Sequence, residues 1–403
     1  MSGPLEGTKI LDMSRILAGP WAGQLLGDYG ADVIKVERPH LGDDTRHWGP
    51  PWLGDDPDGE AAYFLAANRN KRSITIDIAN PQGQRLIREL VAEADVLIEN
   101  FRVGTMSRYG LSADDLRRDN RDLIYCSISA YGQHGSRANE PGYDAMIQAS
   151  AGLMSITGAP DSEGGSPQKV GVAIADIMAG MYATTAILAA LEERRKSGEG
   201  QTIDVPLYDS QVAWLANQAM NFLIGGSTPE RHGTAHPNLV PYQTFATSDG
   251  YCTLAVGNDS QFAACAACLS LPELGTDPRF ARNADRVNNR DALVPILADE
   301  LRKMPTEHWL QAFRDAGVPA GPINSIGEVL TDDYAVERGL VESLNHALDS
   351  SLPTVANPVG FSRTPVVYGA PPPMLGEHTE SILRDWLGYS ADQIETLMSS
   401  GAI

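Results

Sequence analysis

The sequence predicts an α/β chain: a large domain built on a parallel sheet covered by helices, joined to a smaller α+β domain. Three observations predict it. Strand-like and helix-like segments alternate through the first half of the chain, strand-like segments follow one another directly after about residue 226, and 403 residues suffice for two domains or one large domain with an insertion.

The alternation begins with "TKILDMS", a loop "RILAG", a helix over "PWAGQLLGDYGA" with Pro20 at a first helical position, and the strand "DVIKVERP". That is a βαβ unit. "RSITIDI" adds a strand, "PQGQRLIRELVAEA" a helix, "DVLIENF" a strand, and "DLIYCSISAYG" another after a short helix starting near Ser112. A long helix over about Ile177–Leu191 follows, apolar or small on every face and so expected to be buried all round. Arg194, Arg195 and Lys196 mark its last turn and Gly198 its cap, because cations favour the negative end of the helix dipole. The strand "GQTIDVPLYD" and a single helix over "SQVAWLANQAMNFLIGG" close this region.

Beyond it, residues 226–257 alternate as antiparallel strands around the hairpin signal Asp249-Gly250. Amphipathic helices run to about residue 316, "GVPAGPINS" reads as loop, and the remainder carries a Pro-rich stretch and final helices. The expected boundaries are a large domain over 1–227, a small α+β domain over 228–330, and a linker and C-terminal segment over 331–403.

Composition narrows the functional classes. A formal charge of −21 disfavours binding to nucleic acid and requires any anionic ligand to meet a local cluster of cations. Such cations gather at Lys35 and Arg38, in "NRNKRS" with Arg69, Lys71 and Arg72, and at Arg102 and Arg108, where a solvated basic face is the plain alternative. No membrane span is expected, since every long apolar run is interrupted by charges or small polar residues. The N-terminus lacks the pattern of a secretory signal and the cytoplasm is the default location. The four cysteines are few and scattered, and Cys265 and Cys268, although spaced as CxxC, lie in an Ala-rich helical pattern that reads as core. No metal or redox role is assigned to them.

Two features point to chemistry. Asp176 heads the long apolar helix, where an acid is either a cap for backbone N–H groups or a functional carboxylate. Arg38 ends the second strand, directly after Glu37, and the preceding loop is "LAGPWAGQLLG" rather than GxGxxG. An ordinary dinucleotide site is thereby disfavoured, whereas an Arg fork there suits a phosphorylated ribose.

The stretches "LAGPWAGQLLGDYGADVIKVERP", "GDDTRHWGPP", "NRNKRSITIDI", "DVLIENF", "PGYDAMIQASAGLMSITG", "GVAIADIMAGMYA" and "LGEHT" together resemble the class III CoA-transferases, over roughly residues 5–400. The resemblance implies a Rossmann-like large domain, an interlocked homodimer, and coenzyme A or acyl-CoA as substrate with no permanently bound cofactor and no metal. It implies that Asp176 is the nucleophile that becomes an aspartyl-CoA thioester. It further implies that Leu17, Arg38, Ile76, Asn100, Phe101, Arg108, Tyr143 and Asp144 contact CoA or line its route. Pro141 and Ala79 stand where other members have CoA-contacting lysines, so phosphate contacts are expected to pass to Lys71, Arg72 or Arg102. "RHGTAHPNLVPYQTF" and "GVPAGPIN" are most similar to the branch that moves CoA from succinyl-CoA to glutarate and similar dicarboxylates. A formyl-CoA/oxalate or carnitine-type transfer is the nearer alternative. An α-methylacyl-CoA racemase is the more distant one, disfavoured because Tyr143 occupies the position of its proton-transferring histidine. The second carboxylate of a dicarboxylate acceptor calls for a bidentate cation, and Arg69 and Arg286 are the candidates, with His236 and Arg46 behind them.

Overall fold

The computed structural model describes residues 3–54 and 59–403, which divide into two compact units. The first comprises Met1–Leu153, Val170–Asn217 and Asp333–Ile403, and the second Met154–Lys169 and Gln218–Asp332. The expected boundary at 228 therefore lies too late, and residues 154–169, read as part of the large domain, belong to the smaller unit.

In the first unit six strands form one parallel sheet: β1 (Lys9–Asp12), β2 (Asp32–Glu37), β3 (Lys71–Thr75), β4 (Val96–Glu99), β5 (Ile124–Ser129) and β6 (Thr202–Pro206). Their spatial order is β3-β2-β1-β4-β5-β6, the doubly wound arrangement in which the chain reverses direction between β1 and β4. Strand periodicity sorts the apolar side chains onto the two faces. Leu11, Ile34 and Leu97 pack with α2 (Pro81–Glu93) and with two C-terminal helices, Thr379–Leu387 and Ala391–Ser399. Their neighbours Ile10, Val33 and Val96 pack on the opposite face with α1 (Ala18–Asp28) and the long helix α4 (Ile174–Ser197). Pro20 is the third helical residue of α1 rather than the first.

The long helix departs from its expected burial. Ala175, Ala179, Ala183 and Ile187, spaced by helical turns, form the face sunk in the core, while Met181 and Tyr182 are each 40% exposed. Small residues let α1 approach closely: a Cβ on Gly180 would lie 2.6 Å from the Ala18 carbonyl oxygen. By length and composition α4 also meets the test for a membrane-crossing helix, against expectation, a test that the core helix of a soluble protein passes equally. Gly198 ends it in the left-handed conformation (φ 76°), as its sequence requires. "SQVAWLANQAMNFLIGG" is not one helix but two, Leu207–Ala213 and Ala216–Gly225, broken where Ala216 takes φ 44°.

The second unit contains the hairpin Tyr242–Ala246 and Tyr251–Ala255, joined across the expected turn. A third antiparallel strand, Ala320–Pro322, comes from the segment read as loop. Helices Asp259–Cys268, Arg290–Leu301 and Thr306–Asp315 cover a core of Phe245, Leu254, Phe262, Leu293, Trp309 and Phe313. Cys265 is a fully buried member of that core and its thiol is pushed up to about 12 by burial.

Candidate active site

A cavity of about 320 Å³ opens at the carboxyl ends of β1 to β4, in the crevice created by the reversal of strand order. Met13 and Arg15 follow β1, Val36 and Arg38 end β2, Ile76–Ala79 follow β3, and Phe101, Thr105 and Tyr109 follow β4. Three of the residues expected at the CoA site, Arg38, Ile76 and Phe101, thus meet in one cavity. Arg38 is exposed, Ile76 is buried and apolar, and Phe101 supplies a ring with the Arg15 guanidinium 5.6 Å from its centroid. A phosphate-seeking cation beside apolar walls suits a nucleotide with a charged ribose.

Asp176 lies in the first turn of α4, the third residue after the cap Ala173. Burial and the Asp144 charge act on its carboxylate, with no hydrogen bond among the causes that set its pKa. The first-turn N–H of Ala175 donates to Asp144 Oδ1 at 2.8 Å, and the other Asp144 oxygen accepts from Gln148 Nε2 at 2.7 Å. Asp144, the first residue of α3 (Asp144–Ser150), therefore does the capping from outside, and the half-buried Asp176 carboxylate is left without that partner. Burial first, and the Asp144 charge second, push Asp176 up to about 7. A poorly solvated carboxylate close to half-ionised at neutral pH is a group prepared to act as a nucleophile.

Other expected positions turn out differently. Arg69 is buried, with Nε and Nη2 on the two oxygens of Asp28 (2.9 and 2.6 Å) and Nη1 on the Val355 carbonyl (2.9 Å). Arg286, in the second unit, is fully buried and donates to the Val240 and Phe280 carbonyls and to Asp259. Arg46 is equally enclosed by Glu37 and Glu60. None of the three can receive a substrate carboxylate without abandoning these partners, and a buried charge does not surrender its partners cheaply.

His236 keeps an open valence. Its Nδ1 accepts the Asn238 N–H at 3.0 Å, which places the ring proton on Nε2, and burial followed by Arg290 lowers its pKa.

Asn100 is occupied too: its amide takes the Arg15 N–H at 2.8 Å and donates to the Arg15 carbonyl at 2.7 Å, so it shapes the loop rather than the ligand. Leu17 is buried as the cap of α1, Arg108 is exposed at the end of a short helix, and Tyr143 is 61% exposed just before Asp144. Lys71 is wholly buried on Asp12, Asn68 and the Pro20 carbonyl, and Arg72 is paired with Asp32, so neither replaces a missing phosphate contact. Arg102 is exposed and borders a second cavity of about 470 Å³ with Phe101 and His134.

Two residues escaped the sequence reading. Arg15 lines the same cavity as Arg38, Ile76 and Phe101, and its place in a βα loop at the carboxyl edge was the available signal. Tyr63 has its phenol pushed up by burial and then by the charges of Asp176 and Asp144, so its hydroxyl stays protonated within their field. Nothing in "AAYFLAAN" announces that proximity. Among the described residues no group of three His, Cys, Asp or Glu side chains could hold a metal ion.

A doubly wound sheet with a cation-bearing cavity at its carboxyl edge and a desolvated helix-borne carboxylate suits an enzyme that acts on a charged nucleotide ester, and the chain belongs to CoA-transferase family III, matched over residues 5–379. It is a CoA-transferase. It is 48% identical to the succinate–glutarate CoA-transferase of Agrobacterium fabrum, over 95% of both chains. With the succinyl-CoA:glutarate CoA-transferase of Mus musculus it shares 45% identity over 99% of this chain and 90% of that one. Among solved structures it is similar to a CAIB/BAIF family protein from Brucella suis, with a TM-score of 0.84 and 46% identity over 96% of this chain and 100% of that one.

Proposed function

We propose that this enzyme moves CoA from succinyl-CoA to glutarate or a closely similar dicarboxylate, by covalent relay on Asp176. The observation that carries the relay is the half-buried Asp176 carboxylate in the first turn of α4, raised to about 7 by burial and the neighbouring Asp144. The names of the 45–48% identical relatives support the substrates.

In the relay an Asp176 oxygen attacks the succinyl thioester carbonyl, giving a mixed anhydride and CoA thiolate. Thiolate then attacks the aspartyl carbonyl, releasing succinate and leaving an aspartyl-CoA thioester. A glutarate carboxylate opens that thioester to a second anhydride. The thiolate finally attacks the glutaryl carbonyl, so glutaryl-CoA leaves and Asp176 is regenerated. Anhydrides and thioesters hydrolyse readily, and the apolar first turns of α4 help to keep water away.

Arg38 is assigned to the phosphate-bearing ribose, Ile76 to the adenine and Phe101 to the pantetheine, since all three border one cavity. The exposed Met181 and Tyr182 on α4 support a homodimer in which a second copy covers that face.

The test is a screen of carboxylic acids against succinyl-CoA, following product CoA esters by mass. Glutarate and its nearest homologues should form esters at least about ten times faster than monocarboxylates. Equal rates for monocarboxylates would remove the dicarboxylate assignment while leaving the transferase class intact.

A further inference from the structure

The loop from Met13 to Leu17 joins β1 to α1 and forms one lip of the nucleotide cavity through Met13 and Arg15. Its backbone is strained at one point. Ile16 holds φ 72°, a left-handed conformation that a β-branched residue rarely adopts and that persists only where its surroundings enforce it.

The enforcement comes from two buried, oppositely charged side chains. The Ile16 N–H donates to both carboxylate oxygens of Asp43, at 3.2 Å each. Lys35 Nζ donates to the Ser14 carbonyl at 3.0 Å and to Asp43 Oδ2 at 2.8 Å. Lys35 is 0% and Asp43 1% exposed, so neither presents its charge to solvent. Asp43 is itself fixed, its N–H on Glu37 at 3.0 Å and its oxygens also taking the Thr45 N–H and hydroxyl. One carboxylate thus joins the strained turn, the β2 lysine and the following loop.

A buried ion pair contributes little net stability compared with apolar side chains of the same size. Stability alone therefore gives no reason for this pair. What it does hold is the backbone geometry of the turn. That turn sets Arg15 over Phe101 in the cavity and starts α1 at Ala18, whose carbonyl lies against Gly180, one helical turn beyond Asp176. We propose that Lys35 and Asp43 are positioning residues for the transfer reaction: together they hold the Ser14–Leu17 turn in the strained shape that seats acyl-CoA beside Asp176. The inference rests on the assignment of this cavity to CoA.

The experiment compares two double variants with the wild type. Lys35→Met/Asp43→Leu removes the charges together with every acceptor for the Ile16 N–H. Lys35→Met/Asp43→Asn removes the charges but keeps a carboxamide oxygen at that place. In the Leu variant KM for succinyl-CoA and the calorimetric Kd for free CoA should rise about ten-fold, with KM for the acceptor acid unchanged and the melting temperature within a few degrees of wild type. The Asn variant should recover most of that loss.

A folded Leu variant with unchanged CoA affinity would overturn the proposal, as would an Asn variant no better than the Leu variant. Should the Leu variant fail to fold, the smaller Lys35→Met/Asp43→Ala, which likewise removes the charges and the acceptor for the Ile16 N–H, decides. A rise confined to the acyl-CoA KM at unchanged melting temperature supports the proposal, and no change in that KM overturns it. Absence of CoA binding by the wild type would instead refute the cavity assignment on which the proposal stands.

Discussion

Acids of the same type at the carboxyl edge of this sheet live under opposite electrostatics. Asp12 and Asp43 lie beneath the β1 loop, where burial would raise them, but the charges of Lys71 and Lys35 and several hydrogen bonds outweigh it and hold both below the usual carboxylate range, Asp43 at about 2. Asp176, on α4, has no such compensation, and burial with Asp144 beside it takes it to about 7. The first set is a fixed scaffold, and the second is the group to which the proposed relay assigns the chemistry. What separates them is the supply of donors, not depth: Asp12 and Asp43 have lysines and backbone N–H groups, whereas the Ala175 N–H, next to Asp176 in the first turn of α4, is claimed by Asp144.

The comparison breaks most visibly at the scaffold. Lys71→Met leaves the fully buried Asp12 short of its principal counter-charge, and should lower stability in chemical denaturation by about 3–5 kcal/mol. The exposed pair Arg118–Asp115 gives the contrast, with Arg118→Ala expected to change stability by less than about 0.5 kcal/mol. Similar losses in both variants would deny the scaffold its special standing.

At the reactive acid the sensitive variable is pH. The nucleophile is the carboxylate, so kcat/KM for acyl-CoA should fall as pH drops through about 7, and Asp144→Asn should move that limb to lower pH by removing the neighbouring charge. A rate independent of pH between 5 and 8 would contradict the raised pKa.

The smallest effect is on stability and follows from the same sign. Because the folded state raises the Asp176 pKa, it favours the neutral form, and the associated stability is fully present below the unfolded-chain pKa of about 4 and is lost as pH rises from there to about 7. Asp176→Asn should therefore gain about 1 kcal/mol at pH 8 and nothing near pH 3, below the pKa of an aspartate in the unfolded chain. A gain equal at both values would point to packing rather than charge.

Much of this was legible in the sequence. The βα alternation gave the parallel sheet because period-two strands and capped helices leave local signatures, and Gly198 and the basic last turn fixed the end of α4. Arg38 was legible from its place at the end of a strand, and the family resemblance added Ile76 and Phe101, which also follow strands at their carboxyl ends. The arginines were not legible. Arg69 and Arg286 look like free cations in a string of letters, since their partners Asp28 and Asp259 are 41 and 27 residues away. Asn100 and Asp144 were assigned to the ligand for the same reason: only tertiary structure shows their hydrogen bonds already engaged by Arg15 and Ala175. The buried appearance of α4 misled through its alanines, which fit a core face and an exposed face equally well.

The central claim is that Asp176 carries the transferred thiol covalently, and chemical trapping tests it most directly. Wild-type protein incubated with succinyl-CoA and quenched with hydroxylamine should yield a peptide carrying a hydroxamate at position 176, and Asp176→Ala should yield none and lose exchange by at least about a thousand-fold while still binding CoA. An unmodified Asp176 peptide under turnover, or exchange retained in the alanine variant, would contradict the account.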